Sequence, residues 1–105
     1  MKMIKAIVRP DKVDDIVDSL ENAGYPAFTK INSVGRGKQG GLKVGEIFYD
    51  ELPKTILLIA VNDDEVDEVV GLIKSSASTG NFGDGKIFIQ PITEAYTIRT
   101  GETGI

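Results

Sequence analysis

Three short segments hold the residues whose types and spacing suit chemistry, and in each of them glycine stands beside a cation. The first is Gly35-Arg36-Gly37-Lys38-Gln39-Gly40-Gly41, with Lys43 just beyond it. A glycine-rich backbone lets an anion come close to its amide nitrogens, and the neighbouring cations supply charge. The second is Ser78-Thr79-Gly80-Asn81-Phe82-Gly83-Asp84-Gly85-Lys86. Here Gly83 and Gly85 free amides for phosphate oxygens, and Lys86 adds a point charge. The third, Ile98-Arg99-Thr100-Gly101-Glu102-Thr103-Gly104, lies at the C-terminal end, where the Arg99 fork suits a phosphate clamp on a neighbouring copy. Their shared chemistry is the holding of a polyanion. Each segment also has a plainer reading, as a solvated turn whose glycines serve only the backbone.

Two familiar nucleotide motifs come close and fail. Gly35-x-Gly37-x-x-Gly40 has the spacing of a dinucleotide fingerprint, yet Leu42 to Tyr49 shows no helical period and Pro53 follows. A Rossmann fold needs a helix to open there. Gly80 and Gly85-Lys86 have P-loop spacing, but Ile87 takes the magnesium-binding Ser/Thr position, and the loop leads from a helix into a strand, the reverse of a P-loop. The chain has no Cys and no His, which removes disulfide frameworks, Cys/His zinc sites, iron–sulfur clusters, thiol nucleophiles and Ser-His-Asp machinery. With 12 basic against 16 acidic residues and a net charge of −4, it offers nucleic acid no broad positive field. The acidic groups Asp14/Asp15/Asp18 and Asp63/Asp64/Glu65/Asp67/Glu68 suit first helical turns and solvated faces better than metal binding. Tyr25, Phe28, Phe82 and Phe88 are dispersed at apolar positions and are expected in core packing rather than base stacking. The apolar run Ile56 to Val61 is far short of the ~20 residues of a membrane span, and Met1-Lys2-Met3 opens no signal-peptide core. The expected location is the cytoplasm, without membrane insertion.

The elements that position these segments are legible from hydrophobic period. Lys2 to Arg9 alternates with both faces largely apolar, as a buried strand does. Pro10, then Asp11, Asp14 and Asp15, open a helix carrying Val13, Ile16, Val17, Leu20 and Ala23 on one side and stopping at Gly24. Ala27 to Val34 alternates again and runs into the first glycine segment. Thr55 to Val61 is a β-type apolar run, Asn62-Asp63-Asp64-Glu65 caps a second helix bearing Val66, Val69, Val70, Ile73 and Ala77, and Lys86 to Ile92 is a fourth strand. The order β-α-β-β-α-β predicts an α+β ferredoxin-like sandwich, an antiparallel sheet with two helices on one face. Ile7, Ile31, Leu57 and Ile89 are expected on the uncovered face, whose wetting invites association of subunits.

Ile7-Val8-Arg9-Pro10, Gly35-x-Gly37-Lys38-Gln39, Leu52-Pro53-Lys54, Thr79-Gly80-x-x-Gly83-Asp84-Gly85-Lys86-Ile87-Phe88 and Ile98-Arg99-Thr100-Gly101-Glu102 together resemble the PII nitrogen-regulatory signal-transduction family along essentially the whole chain. The resemblance implies a single domain over 1–105, with a flexible T-loop at 36–53, a glycine-rich loop at 78–86 and a C-terminal loop at 99–105. It implies a trimer binding ATP or ADP in each inter-subunit cleft, as an effector rather than a prosthetic group. Gly35, Gly37, Lys38, Gln39, Gly83, Asp84, Gly85 and Lys86 would lie about the phosphates, Thr29 and the backbone near Ala60 at the adenine end, and Arg99 would come from the adjacent subunit. 2-Oxoglutarate would join Mg2+ on ATP through the Gln39 side chain, with Lys54 on its distal carboxylate and the amides of Gly37, Gln39, Gly40 and Gly41 helping. Ligand at the base of the loop would select its conformation, and so its partner. That is a sensor, not an enzyme.

Some positions depart from the common pattern. The loop is short, Ile47 stands where many bacterial relatives carry a modifiable tyrosine, with Tyr49 out of register, Thr97 stands for a second phosphate-directed arginine, and Gly40 for a lysine. These features resemble the archaeal and clostridial subgroup, in which paired paralogues inhibit nitrogenase until 2-oxoglutarate rises. The expected partner is therefore a nitrogenase component, with the protein acting as a homotrimer or mixed with a paralogue. Three alternatives stay open: a regulator of an ammonium transporter, an acylphosphatase-like enzyme using Arg9 or Arg36, and an RNA-binding module of the same strand order.

Overall fold

The computed structural model describes all residues, 1–105. Its first strand, β1 (Lys2–Val8), alternates as expected, with Ile4, Ala6 and Val8 buried on one face. Pro10 starts a single 3-10 turn over Pro10–Lys12, which leads into α1 (Val13–Asn22). A proline is tolerated there because the first N–H groups of a helix have no partner in any case. The helix ends where Gly24 adopts φ +95°, a conformation that costs glycine little. Next come β2 (Thr29–Gly35) and the short strands β3 (Leu42–Val44) and β4 (Ile47–Tyr49). After these come β5 (Leu52–Val61), a 3-10 turn over Asp63–Glu65, α2 (Val66–Ala77) and β6 (Gly85–Pro91). The Glu65 carboxylate accepts the Asn62 N–H at 2.8 Å, closing the entry to α2.

Four strands form one antiparallel sheet in the order β2-β5-β1-β6, and β3 pairs only with β4. This is the ferredoxin-like α+β fold expected from the sequence, with the β3–β4 hairpin inserted between its second and third core strands. β5 reaches further back than its apolar run, to Leu52, and Pro53 is tolerated because β1 ends at the Val8–Thr55 pair. At Pro53 the strand has only β2 beside it, so no second ladder loses a hydrogen bond.

The core is made in equal parts by four elements: Ile4, Ala6 and Val8 of β1, Leu57, Ile59 and Val61 of β5, Val13, Ile16 and Leu20 of α1, and Val69, Ile73 and Ala77 of α2. Two expectations for the uncovered face are corrected by the register. Leu57 pairs with Ala6 and is fully buried, and Ile89 pairs with Ile4. Directly opposed residues share a face, so both point toward the helices. The open face carries Ile7, Ile31, Ile56, Leu58 and Phe88 instead, as the pairs Ile7–Ile56, Ile31–Ile56, Lys5–Leu58 and Lys5–Phe88 require. The aromatic expectation also fails in part. Tyr25 packs against the core, but Phe28, Phe82 and Phe88 are exposed in the single chain. Phe88 lies on the face that no helix of the chain covers, and Phe82 lines the groove beside it.

Candidate anion-binding groove

Where β1, β5 and β6 end together, the sheet brings the first two glycine segments to one place. The last ladder pair of β1 with β6 is Val8–Gly85, and that of β2 with β5 is Gly35–Leu52. A groove of about 900 Å³ opens between them. Its lining takes Gly35, Arg36, Gly37, Lys38, Gln39 and Gly41 from the segment after β2, Lys54 from β5, and Gly83, Asp84, Gly85 and Lys86 from the loop before β6.

Glycine is required at Gly85, which sits at φ +110°; a Cβ there would fall 1.7 Å from the Ile7 carbonyl oxygen. Only a residue without a side chain lets β6 begin this close to β1.

The loop before β6 is held by one carboxylate. Asp84 accepts from the Thr79 N–H at 2.7 Å, the Gly80 N–H at 2.9 Å and the Thr79 hydroxyl, and from Arg9 Nε at 3.1 Å. Arg9 also donates from Nη2 to the Phe82 carbonyl at 2.7 Å. Burial pushes the Asp84 carboxyl up, but the Thr79 hydroxyl and N–H, Arg9 and the Gly80 N–H outweigh it and hold the group well below the ordinary carboxylate range. Asp84 is thus an internal brace. Its charge is spent on Arg9 and on two amides of the loop it closes.

Lys54 is buried at the floor of the groove and donates to the Gly83 carbonyl. Burial and the nearby Arg9 charge push its ammonium down from the usual value, while Asp84 pulls the other way. Lys38 and Lys86 have no ion-pair partner in the chain, whose only side-chain salt bridges are Lys2–Asp63, Arg9–Asp84 and Arg36–Asp50. With Arg36, Lys38, Lys54 and Lys86 lining it and the one acidic residue neutralised by Arg9, the groove is cationic in a chain of net charge −4. That arrangement suits an anion with several negative oxygens.

Gln39 folds its side chain back over Gly37, where a Cβ would fall 2.3 Å from Gln39 Oε1. No group of three or more His, Cys, Asp or Glu side chains stands ready to hold a metal ion. A cation here would have Gln39 Oε1 from the protein and would take its other ligands from the anion, as Mg2+ commonly does on phosphates.

Four expected residues stand outside this groove. Gly40 belongs to the same turn without lining the cavity. Thr29 and Ala60 lie on the open face further along, opposite Leu58 and Met3. Arg99 stands on a separate turn at the C-terminal end, closed by Thr97 N–H to Glu102 O at 2.8 Å and Gly101 N–H to Thr97 O at 2.7 Å. Within one chain these three do not reach the groove. Conversely, Arg9 and Thr79 build the loop and were not among the expected ligand-binding residues, Arg9 having entered only as a candidate of the acylphosphatase-like alternative. The position of Arg9 at the end of a buried strand was the available signal.

The family model described as "Nitrogen regulatory protein P-II" matches residues 1–102. The chain is 55% identical over 105 residues to "Nitrogen fixation nifHD region GlnB-like protein 1" of Methanobacterium ivanovii. It is 54% identical to the protein of the same name from Methanothermobacter marburgensis. It is 52% identical to "Nitrogen fixation nifHD2 region GlnB-like protein 1" of Methanosarcina barkeri, and in all three comparisons the whole of both chains is covered. Sequence, strand order and the paired glycine loops agree: the chain belongs to the P-II family of nitrogen regulatory proteins, which are signal proteins and not enzymes.

Proposed function

We propose that the groove takes the phosphates of ATP or ADP, that 2-oxoglutarate binds beside them with Mg2+, and that the 36–53 segment reports this occupancy to a nitrogen-fixation target, a nitrogenase component. The observation that carries the reading is the convergence of Lys38, Lys54, Lys86 and the Gly83 and Gly85 backbone in one cationic groove at the foot of the β3–β4 hairpin. Occupancy of the groove and posture of the hairpin are thereby adjacent events. The names of the relatives, which place them in a nifHD region, support the choice of target.

Lys86 acts as a point charge on a phosphate, and Gly83 and Gly85 admit oxygens to the backbone. Gln39 Oε1 supplies one ligand to a Mg2+ ion carried by the phosphates, and Lys54 faces the far carboxylate of 2-oxoglutarate. Thr29, Ala60 and Arg99 join the site from a second subunit edge in a trimer, assembled through the open face that exposes Ile31 and Phe88.

Two measurements test the reading. Replacing Lys86 by Gln should weaken MgATP binding by about tenfold or more, the loss of a charge-assisted contact; unchanged affinity removes Lys86 from the site. Purified nitrogenase should retain the protein in the absence of 2-oxoglutarate and release it when MgATP and 2-oxoglutarate are both present. Retention instead by an ammonium transporter, with none by nitrogenase, would move the target.

A further inference from the structure

Arg36 occupies the neck between the sheet and the hairpin. The β2–β5 ladder ends at Gly35–Leu52, the β3–β4 ladder begins at Leu42–Tyr49, and Arg36 Nη1 donates to Asp50 Oδ1 at 2.8 Å between the two. Asp50 follows the last residue of β4 directly, so this ion pair ties the base of the hairpin to the end of the sheet.

The pair is poorly committed. Both side chains are more than half exposed, at 53% and 60%, and exposed pairs hold by small margins. Only one guanidinium nitrogen is used, and the remaining N–H groups of Arg36 carry no hydrogen bond within the chain. Arg36 lines the cationic groove, whereas Asp50 does not. A two-pronged donor in the lining of the groove is thus engaged from outside it by a single, solvent-exposed carboxylate oxygen. A phosphate or carboxylate in the groove offers the planar fork two oxygens where Asp50 engages one.

We propose that Arg36 is a binding residue with two alternative partners: with the groove empty it pins the hairpin through Asp50, and with a polyanion bound it turns to the ligand and frees Asp50 and the hairpin. This rests on the groove being an anion site. The consequence is a competition, because Asp50 and the ligand claim the same guanidinium. Removing Asp50 therefore favours ligand binding, and removing Arg36 uncouples the hairpin from it.

The test uses the full chain as wild type, Asp50→Asn and Arg36→Gln, titrated with MgATP, with tripolyphosphate, and with MgATP plus 2-oxoglutarate. Hydrogen exchange of the amides from Lys43 to Tyr49 is read in parallel. Asp50→Asn should bind MgATP tighter by up to about fivefold, the scale of an exposed ion pair. Arg36→Gln should bind it about tenfold more weakly or worse. In wild type MgATP should lower hairpin protection. Both variants should start at that lower level without ligand and change no further. Response to tripolyphosphate assigns Arg36 to the phosphates, and response only when 2-oxoglutarate is added assigns it to the carboxylate. If wild type binds MgATP but both variants match it in affinity and exchange, Arg36 has no such role. If wild type binds none of the three, the anion site itself is wrong and the proposal falls with it.

Discussion

At the scale of single residues, the decisive division in the groove is between side chains already committed and side chains still free. Asp84 and Arg9 are spent on each other and on the loop backbone, while Lys38 and Lys86 have no anion of their own. Replacing Asp84 by Asn leaves Arg9 part-buried without its counter-charge. It should cost about 1–3 kcal/mol in urea unfolding at neutral pH. The pH dependence has a definite sign. Asp84 holds its proton less tightly folded than unfolded, so its contribution is fully present above its ordinary value of ~3.9. It is lost as pH falls through the lower folded value. The gap between wild type and Asp84→Asn should accordingly close on acidification below about pH 4, and a constant gap would show that the carboxylate is not the brace. That the Gly-Asp-Gly-Lys run would line a cationic groove was legible from residue types alone. That Asp84 faces inward was not, because besides its loop neighbours Thr79 and Gly80 it takes Arg9 as a partner, 75 residues away in the chain and brought in by the meeting of β1 with β6.

At the scale of elements, hydrophobic period located both helices and the four core strands to within a few residues of their ends. It misplaced Leu57 and Ile89, since in runs as apolar as Ile56 to Val61 and Ile87 to Ile89 both faces look alike and only pairing decides which one is inward. The β3–β4 hairpin was missed for the opposite reason: its strands are three residues each, too short for a period to register. The junction of β1 with β6 is the least forgiving point of the sheet. Gly85→Ala should push the Ile7 carbonyl and strand β6 apart and force an unfavourable φ, costing about 3 kcal/mol or more. Gly24→Ala meets nothing within 4 Å and pays only for its φ of +95°. Its loss of stability should be clearly the smaller of the two by thermal or urea unfolding.

At the scale of the whole molecule, one face of the sheet is sealed by α1 and α2, and the other is left to solvent with Ile31, Phe88 and their neighbours on it. The chain extends over 54 × 23 × 20 Å, long for its size, as expected with a hairpin standing off the end of a sheet. No helix is long and apolar enough to cross a membrane. In the proposed reading, the open face and the positions of Thr29, Ala60 and Arg99 away from the groove are both answered by a neighbouring subunit. Light scattering of the purified protein should give the mass of a trimer. Ile31→Asp, which places a charge on the open face without touching the core, should reduce that mass while leaving far-ultraviolet circular dichroism unchanged. A wild-type monomer would leave Arg99 with no route to the site.

The most direct measurement is a calorimetric titration of 2-oxoglutarate into the wild-type protein, once alone and once with MgATP saturating. If the two ligands share the groove through a metal ion and Gln39, 2-oxoglutarate should bind at least about tenfold more tightly with MgATP present, a coupling of about 1.4 kcal/mol or more. Equal affinity in the two titrations, or no heat from the nucleotide itself, would contradict the assignment of this groove as the place where both are sensed.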